Sequence, residues 1–143
     1  MTSWDSFVVQ AHYPVRALAR FGVGGRVRWY AEAQTPEDVV RLVSLARKKR
    51  MRWRVVVGGS NVVFPDRELP GLLVTMKNKK LEIRNLNVLA DAGMELMKLV
   101  QTAIRHGLGG MEKLSGIPGS VGGAVVGNAG AYGHTISDHL VRV

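Results

Sequence analysis

Apolar and polar residues change their period several times along this 143-residue chain, and each change predicts an element. Val27, Trp29 and Ala31 alternate with Arg26, Arg28 and Tyr30, which predicts a strand with one buried face. Val39, Leu42, Val43 and Ala46 then recur at helical spacing. The start of that helix is written in Thr35-Pro36-Glu37-Asp38: a capping hydroxyl, a proline suited to the first turn, and two acids where the helix dipole favours them. The helix should run to about Lys49. Trp53–Val57 and Leu72–Met76 read as short strands, and so do Leu81–Ile83 and Asn87–Asp91 around Arg84-Asn85-Leu86. Met94–His106 predicts a second amphipathic helix with Leu96, Met97, Val100 and Ile104 inward and Gly107 as its stop. Ser137–Val143 alternates again, as a strand. Residues 1–20 show only weak period and read as an irregular lead-in, while Arg20–Gly25, Pro65-Asp66 and Pro70-Gly71 read as turns. The sum is an α+β chain of two small αβ lobes, residues 1–76 and 77–143.

Two glycine sites interrupt this pattern. Gly58-Gly59-Ser60-Asn61 directly follows a strand. Its backbone N–H groups and short polar side chains suit a phosphate or pyrophosphate, or equally a simple turn. The second runs from Gly116 to Gly133, with glycine also at 119, 122, 123, 127 and 130 and no charged side chain. Ile117, Val121, Val125, Val126 and Tyr132 ask for burial, so it is no flexible linker. Each glycine inside a helix or strand costs about 0.5–1 kcal/mol relative to alanine, so an ordinary helix or strand is not expected either. The backbone should pass close to something large, either a cofactor or another stretch of chain.

Composition narrows the classes. Hydrophobic residues make up 46% and charged residues 22%, ordinary for a globular domain. No apolar run is long enough to span a membrane, and no secretory leader is visible. The absence of cysteine excludes disulfides, cysteine-ligated zinc and a cysteine nucleophile, and fits a cytoplasmic setting. The net charge is +9. Much of it is concentrated in Arg41, Arg47, Lys48, Lys49, Arg50, Arg52 and Arg54, with Lys77, Lys79 and Lys80 as a second group. A solvated helix face and C-terminal turn account for the first group. A nucleic-acid-binding module that uses it with Trp53 as a stacking surface is the alternative of a different class.

Catalytic signatures are missing. His12, His106, His134 and His139 complete no metal pattern with Asp or Glu, there is no Gly-Lys-Ser/Thr phosphate loop, and Gly119-Ser120-Val121-Gly122 falls one residue short of a nucleophile elbow. Glu112 and Lys113 flank the second glycine site without a partner that would make either an acid or a base. Such a chain fits a domain that holds a cofactor while others complete the chemistry.

In their order, Phe21-Gly22-Val23-Gly24-Gly25, Gly58-Gly59-Ser60-Asn61, Ala92-Gly93, Gly107-Leu108-Gly109-Gly110-Met111-Glu112, Gly116-Ile117-Pro118-Gly119-Ser120-Val121-Gly122-Gly123-Ala124 and Asn128-Ala129-Gly130-Ala131-Tyr132-Gly133 closely resemble the UDP-N-acetylenolpyruvoylglucosamine reductase (MurB) family, from about Leu18 onward. The resemblance implies a vanillyl-alcohol-oxidase-type (PCMH-type) FAD-binding domain of a cytoplasmic flavoenzyme in peptidoglycan precursor synthesis. In that family NADPH reduces FAD, and the enolpyruvyl group of a UDP-sugar substrate is then reduced to give UDP-N-acetylmuramate. It further implies that Gly58, Gly59, Ser60 and Asn61 hold the FAD pyrophosphate. Gly116, Ile117, Pro118, Gly119, Ser120, Val121, Gly122 and Gly123, with Asn128, Gly130, Ala131 and Tyr132, would line the rest of the flavin. The family usually carries Thr at Arg20, a further Gly at Val57 and a larger residue at Gly127. Its catalytic Arg, proton donor and Glu fall beyond residue 143, as does its substrate-binding domain, so no catalytic residue is expected in this chain, which reads as truncated and inactive alone. No nucleic-acid partner, metal or membrane insertion is expected, and the oligomeric state is left open. Another oxidase with the same flavin fold is the competing reading.

Overall fold

The structure, a computed structural model, describes residues 2–143, in two compact units, Met1–Asn78 and Lys79–Val143. The first holds a five-stranded sheet ordered β1-β2-β3-β5-β4: β1 Thr2–Trp4, β2 Phe7–Pro14, β3 Arg26–Ala33, β4 Trp53–Val56 and β5 Leu69–Met76. β1, β2 and β3 are antiparallel neighbours, whereas β3 and β4 both run parallel to β5. The supposed irregular lead-in is therefore a hairpin plus a turn of 3-10 helix at Val15–Leu18. The run Phe7-Val8-Val9 hides the alternation, because Val8 is exposed while its two neighbours are buried. Pro70 and Gly71 lie inside β5 rather than in a turn.

Helix α1, Pro36–Lys48, forms as its local signals require. Thr35 Oγ1 accepts from the Asp38 amide at 3.2 Å, and Asp38 Oδ2 accepts in return from the Thr35 amide at 3.1 Å. It buries Leu42 and Ala46 against one face of the sheet, with Trp4, Phe7, Val9, Ala31, Ala33, Leu72 and Val74. The other face is covered as well, by a second cluster of Val15, Ala19, Val27, Tyr30, Phe64 and Leu73. Hence β5 is buried through Leu72, Leu73 and Val74 without alternation, as a strand covered on both faces must be. Tyr30, expected on a solvated face, is buried for the same reason; its ring stacks on Tyr13 with centroids 3.9 Å apart.

The second unit contains the hairpin β6 Leu81–Arg84 and β7 Asn87–Ala90, helix α2 Leu96–Arg105, helix α3 Val121–Gly127, and the small hairpin β8 Gly130–Ala131 and β9 His134–Thr135. Met94, Leu96, Leu99, Val100, Leu114, Val121, Ala124 and Ile136 form its core. α2 is rotated from the expected face: Leu96, Leu99, Val100 and Ala103 point inward at helical spacing, and Ile104 is exposed. The expected final strand is absent. Ile136–His139 is a 3-10 turn capped by Thr135 and Asp138, and residues 140–143 join no strand among the described residues.

Candidate functional site

In the first unit the chain leaves β4 through Val57 and turns sharply. Gly58 and Gly59 are consecutive left-handed residues, with φ 71° and 56°. A β-branched residue is tolerated at Val57 because the left-handed turn begins only after it. Gly59 is fixed on both sides. Its amide donates to the Val57 carbonyl at 2.9 Å, and its carbonyl accepts from the Arg20 amide at 3.0 Å. A Cβ at Gly59 would lie 1.7 Å from the Leu18 carbonyl oxygen. Gly59 therefore shapes the loop, and its amide points to the Val57 carbonyl inside it. Gly58, Ser60 and Asn61 are the other residues expected to hold the pyrophosphate. Gly58 and Asn61 are exposed and Ser60 is half-buried.

In the second unit the long glycine stretch is an ordered element. Gly119–Gly122 lies against Ala92–Leu96: the Leu96 amide donates to Gly119 O at 3.0 Å, Val121 to Met94 O at 2.8 Å, and Gly122 to Ala92 O at 2.9 Å. Ser120, buried, caps α3 by accepting from the Gly123 amide at 3.2 Å. The expectation that the stretch avoids helix thus fails for Val121–Gly127, where cap and packing outweigh glycine's helix cost. Asn128 closes α3 in the left-handed conformation and its Oδ1 accepts from the Ser137 amide at 3.3 Å. Ile117 is half-buried on the core, and Pro118 is exposed. Gly130 and Ala131 form β8, and Tyr132 stands 84% exposed at the β8–β9 turn.

The choice between a nearby cofactor and nearby chain resolves residue by residue. A Cβ at Gly122 would lie 2.7 Å from Ala92 Cβ, and one at Gly130 would lie 2.5 Å from His134 O. These glycines admit backbone. At Gly116 and Gly127 a Cβ would meet nothing within 4 Å; a φ of 88° accounts for glycine at 116, whereas at 127 neither packing nor backbone conformation requires it. Gly116, Gly123, Val126, Gly127 and Tyr132 are exposed and uncharged, and Val126 is 91% exposed. Of the burial expected for the stretch's apolar residues, Val126 and Tyr132 receive none. A flat apolar group laid against Gly123, Val126 and Gly127, which share one face of α3 at helical spacing, fits the residues present.

Elsewhere in this unit, Lys113 Nζ lies 2.7 Å from His134 Nε2. Glu112 Oε2 accepts from the Gly110 amide at 2.8 Å, and backbone hydrogen bonds hold its carboxyl below the usual range, so it is a turn-closing carboxylate rather than a proton acceptor near neutral pH. A concavity of this unit, about 560 Å3, is lined by Val88, Leu99, Val121, Val125 and Ile136 together with Arg84, His139 and Arg142. Of the expected flavin-lining residues only Val121 reaches it. Among the described residues no three His, Asp or Glu gather as a metal site, and no helix is long and apolar enough to cross a membrane.

Comparison with known proteins follows the same outline. The family described as FAD binding domain matches residues 27–143. A UDP-N-acetylenolpyruvoylglucosamine reductase of Solibacter usitatus is 38% identical over 138 residues, which cover 96% of this chain and 44% of the relative. One from Rhodopirellula baltica is also 38% identical, over 90% of this chain and 43% of its own length. The crystal structure of the Thermus caldophilus enzyme (MurB) superposes with a TM-score of 0.75 at 30% identity, over 92% of this chain and 46% of that one. A cholesterol oxidase from Brevibacterium sterolicum, 17% identical with a TM-score of 0.64, shares the fold alone. The chain spans less than half the length of these reductases. It belongs to the family of FAD binding domains, and within that family it is related to the UDP-N-acetylenolpyruvoylglucosamine reductases.

Proposed function

We propose that the chain is the FAD-holding part of an NADPH-dependent reductase that converts UDP-N-acetylglucosamine enolpyruvate to UDP-N-acetylmuramate in the cytoplasm. The observation that carries the reading is the bare side of α3, where Gly127 faces open space and Gly123 and Val126 are uncovered. Bound FAD would supply the hydride relay from the reduced nicotinamide to the enolpyruvyl group. This chain's residues have simpler tasks. The amides of Gly58, Ser60 and Asn61 donate to pyrophosphate oxygens, in a loop whose shape Gly59 holds. Ser120, Val121, Gly122 and Asn128 spend their polar groups on fixing α3, so Gly116, Ile117, Pro118, Gly119, Gly123, Gly130, Ala131 and Tyr132 present backbone and apolar surface to the ring system. No residue here takes a proton-transfer role, and the chain by itself holds flavin without turnover.

The test is a flavin titration of the purified chain. Added FAD should quench its own fluorescence saturably with one site per chain, and no UDP-N-acetylmuramate should form when NADPH and the enolpyruvyl substrate are supplied. Absence of saturable FAD binding would overturn the cofactor assignment. Product formation would overturn the claim that the chain is inactive alone.

A further inference from the structure

The first unit carries a second site for negative charge at the opposite end of the strand from the Gly58–Asn61 loop. β3, β5 and β4 run parallel, so they start at the same end of the sheet. There Arg28 on β3, Arg50 and Arg52 ahead of β4, and Pro70-Gly71 on β5 line a hollow of about 360 Å3 together with Trp29 and Met51. Two features open it. Between the pairs Val27/Leu69 and Trp29/Leu72, β5 carries one residue more than β3, a bulge that pushes Pro70-Gly71 out of register. Gly71, at φ 95°, admits the Arg52 carbonyl where a Cβ would lie 2.1 Å from its oxygen. Bulges commonly re-aim side chains beside binding sites.

The charge at this hollow is compensated only in part. The nearest paired carboxylate is Glu68, 3.9 Å from Arg28 Nη1, and its other oxygen already pairs with His12. Arg50 and Arg52 make no ion pair among the described residues. Arg50 also occupies a position that favours glycine. It ends α1 in a Schellman closure, with its amide donating to Arg47 O at 2.9 Å and the Met51 amide to Ala46 O at 2.9 Å, and its φ is 52°. The helix dipole favours a cation there, but glycine would take the left-handed conformation at lower cost.

We propose that this hollow binds the phosphate group of a small phosphorylated molecule, with Arg28, Arg50 and Arg52 as its ligands. Guanidinium forks match phosphate oxygens two at a time, which is the geometry several arginines around one concavity provide. A nucleic-acid track is disfavoured, because Trp53, the ring that would stack a base, already carries the Arg47 guanidinium 5.6 Å from its centroid, and Arg41 is paired with Asp5. β4, Trp53–Val56, lies between Arg52 and Gly58, so the hollow and the flavin loop are at opposite ends of that strand.

The experiment is a titration of the full chain with inorganic phosphate and with pyrophosphate, followed by amide and guanidinium nitrogen–proton spectra at ionic strength held constant with chloride. Saturable shifts at residues 28–29, 50–52 and 70–72 are expected. Arg50→Gly should keep the fold and weaken binding at least fivefold, and Arg52→Gln should do the same. The proposal is overturned if phosphate acts no differently from chloride, if the shifts fall only on residues 58–61, if both variants bind as the parent does, or if only a single-stranded oligonucleotide binds.

Discussion

The Arg20 amide donates to the Gly59 carbonyl at 3.0 Å, and through that bond the turn-rich Phe21–Gly25 segment is tied to the loop that follows β4. The same glycine sits against the Leu18 carbonyl oxygen, with no room for a Cβ. Gly59→Ala therefore adds a backbone clash to a left-handed conformation that itself costs an L residue about 1 kcal/mol. It should lower the thermal midpoint by several degrees and abolish FAD binding. Differential scanning calorimetry and flavin titration measure the two effects.

The glycines around α3 should separate packing from binding. Gly122→Ala drives a methyl into Ala92 and should destabilise the second unit by about 1–3 kcal/mol. Gly127→Ala meets no atom, needs no left-handed φ and gains helix propensity, about 0.5–1 kcal/mol. If the bare side of α3 receives the ring system, Gly127→Ala should stabilise the apo chain slightly and still weaken FAD binding. Urea unfolding paired with flavin affinity reads this; a stabilised variant with unaltered affinity would remove α3 from the flavin site.

What was legible in the sequence follows the range of the interactions. Thr35, Pro36 and Asp38 announce α1 because its cap is built entirely from neighbours in the chain. The Gly58-Gly59 turn announces itself similarly, since only glycine takes two successive left-handed residues at little cost. α3 was hidden: its stability comes from Ser120 and from amides given to Ala92 and Met94, partners far along the chain. β1 and β2 were hidden because Val8 sits exposed between buried Phe7 and Val9, an apolar run that mimics no period. Tyr30 was misassigned because a face reads as solvated until the layer that covers it, Val15 and Phe64 among others, is known. For the candidate site, the bare glycines were visible, but which of their amides were already spent was not.

Tyr30 sits in a buried bond network: its hydroxyl donates to Glu32 Oε1 at 2.8 Å and lies 2.8 Å from Thr75 Oγ1. Burial, with Glu32 acting in the same sense and the Thr75 bond opposing, pushes the phenol far above its ordinary value. A raised folded-state value means that this contribution to stability is complete below about pH 10, where the unfolded phenol titrates, and is lost as pH rises toward the folded value. Tyr30 should ionise only as the protein unfolds in alkali, visible in an ultraviolet phenolate titration compared with that of Tyr30→Phe. Tyr30→Phe should cost about 1–3 kcal/mol, because the buried Thr75 hydroxyl loses its partner.

The acid limb should report the turn that follows β9. Asp138 accepts from the Thr135 amide at 2.8 Å, and this backbone bond is the main cause holding its carboxyl below the usual range, helped by the Thr135 hydroxyl and by His139 and His134. A depressed folded-state value gives stability that is present above the unfolded carboxyl value near 3.9 and lost as pH falls through the folded one. Carbon-detected titration should place the Asp138 midpoint below that of a free aspartate. In Asp138→Asn the Thr135 amide should exchange faster at neutral pH, and the acid-dependent part of its protection should vanish. An Asp138 carboxyl that titrates like a free one would mean that this cap does not form in solution.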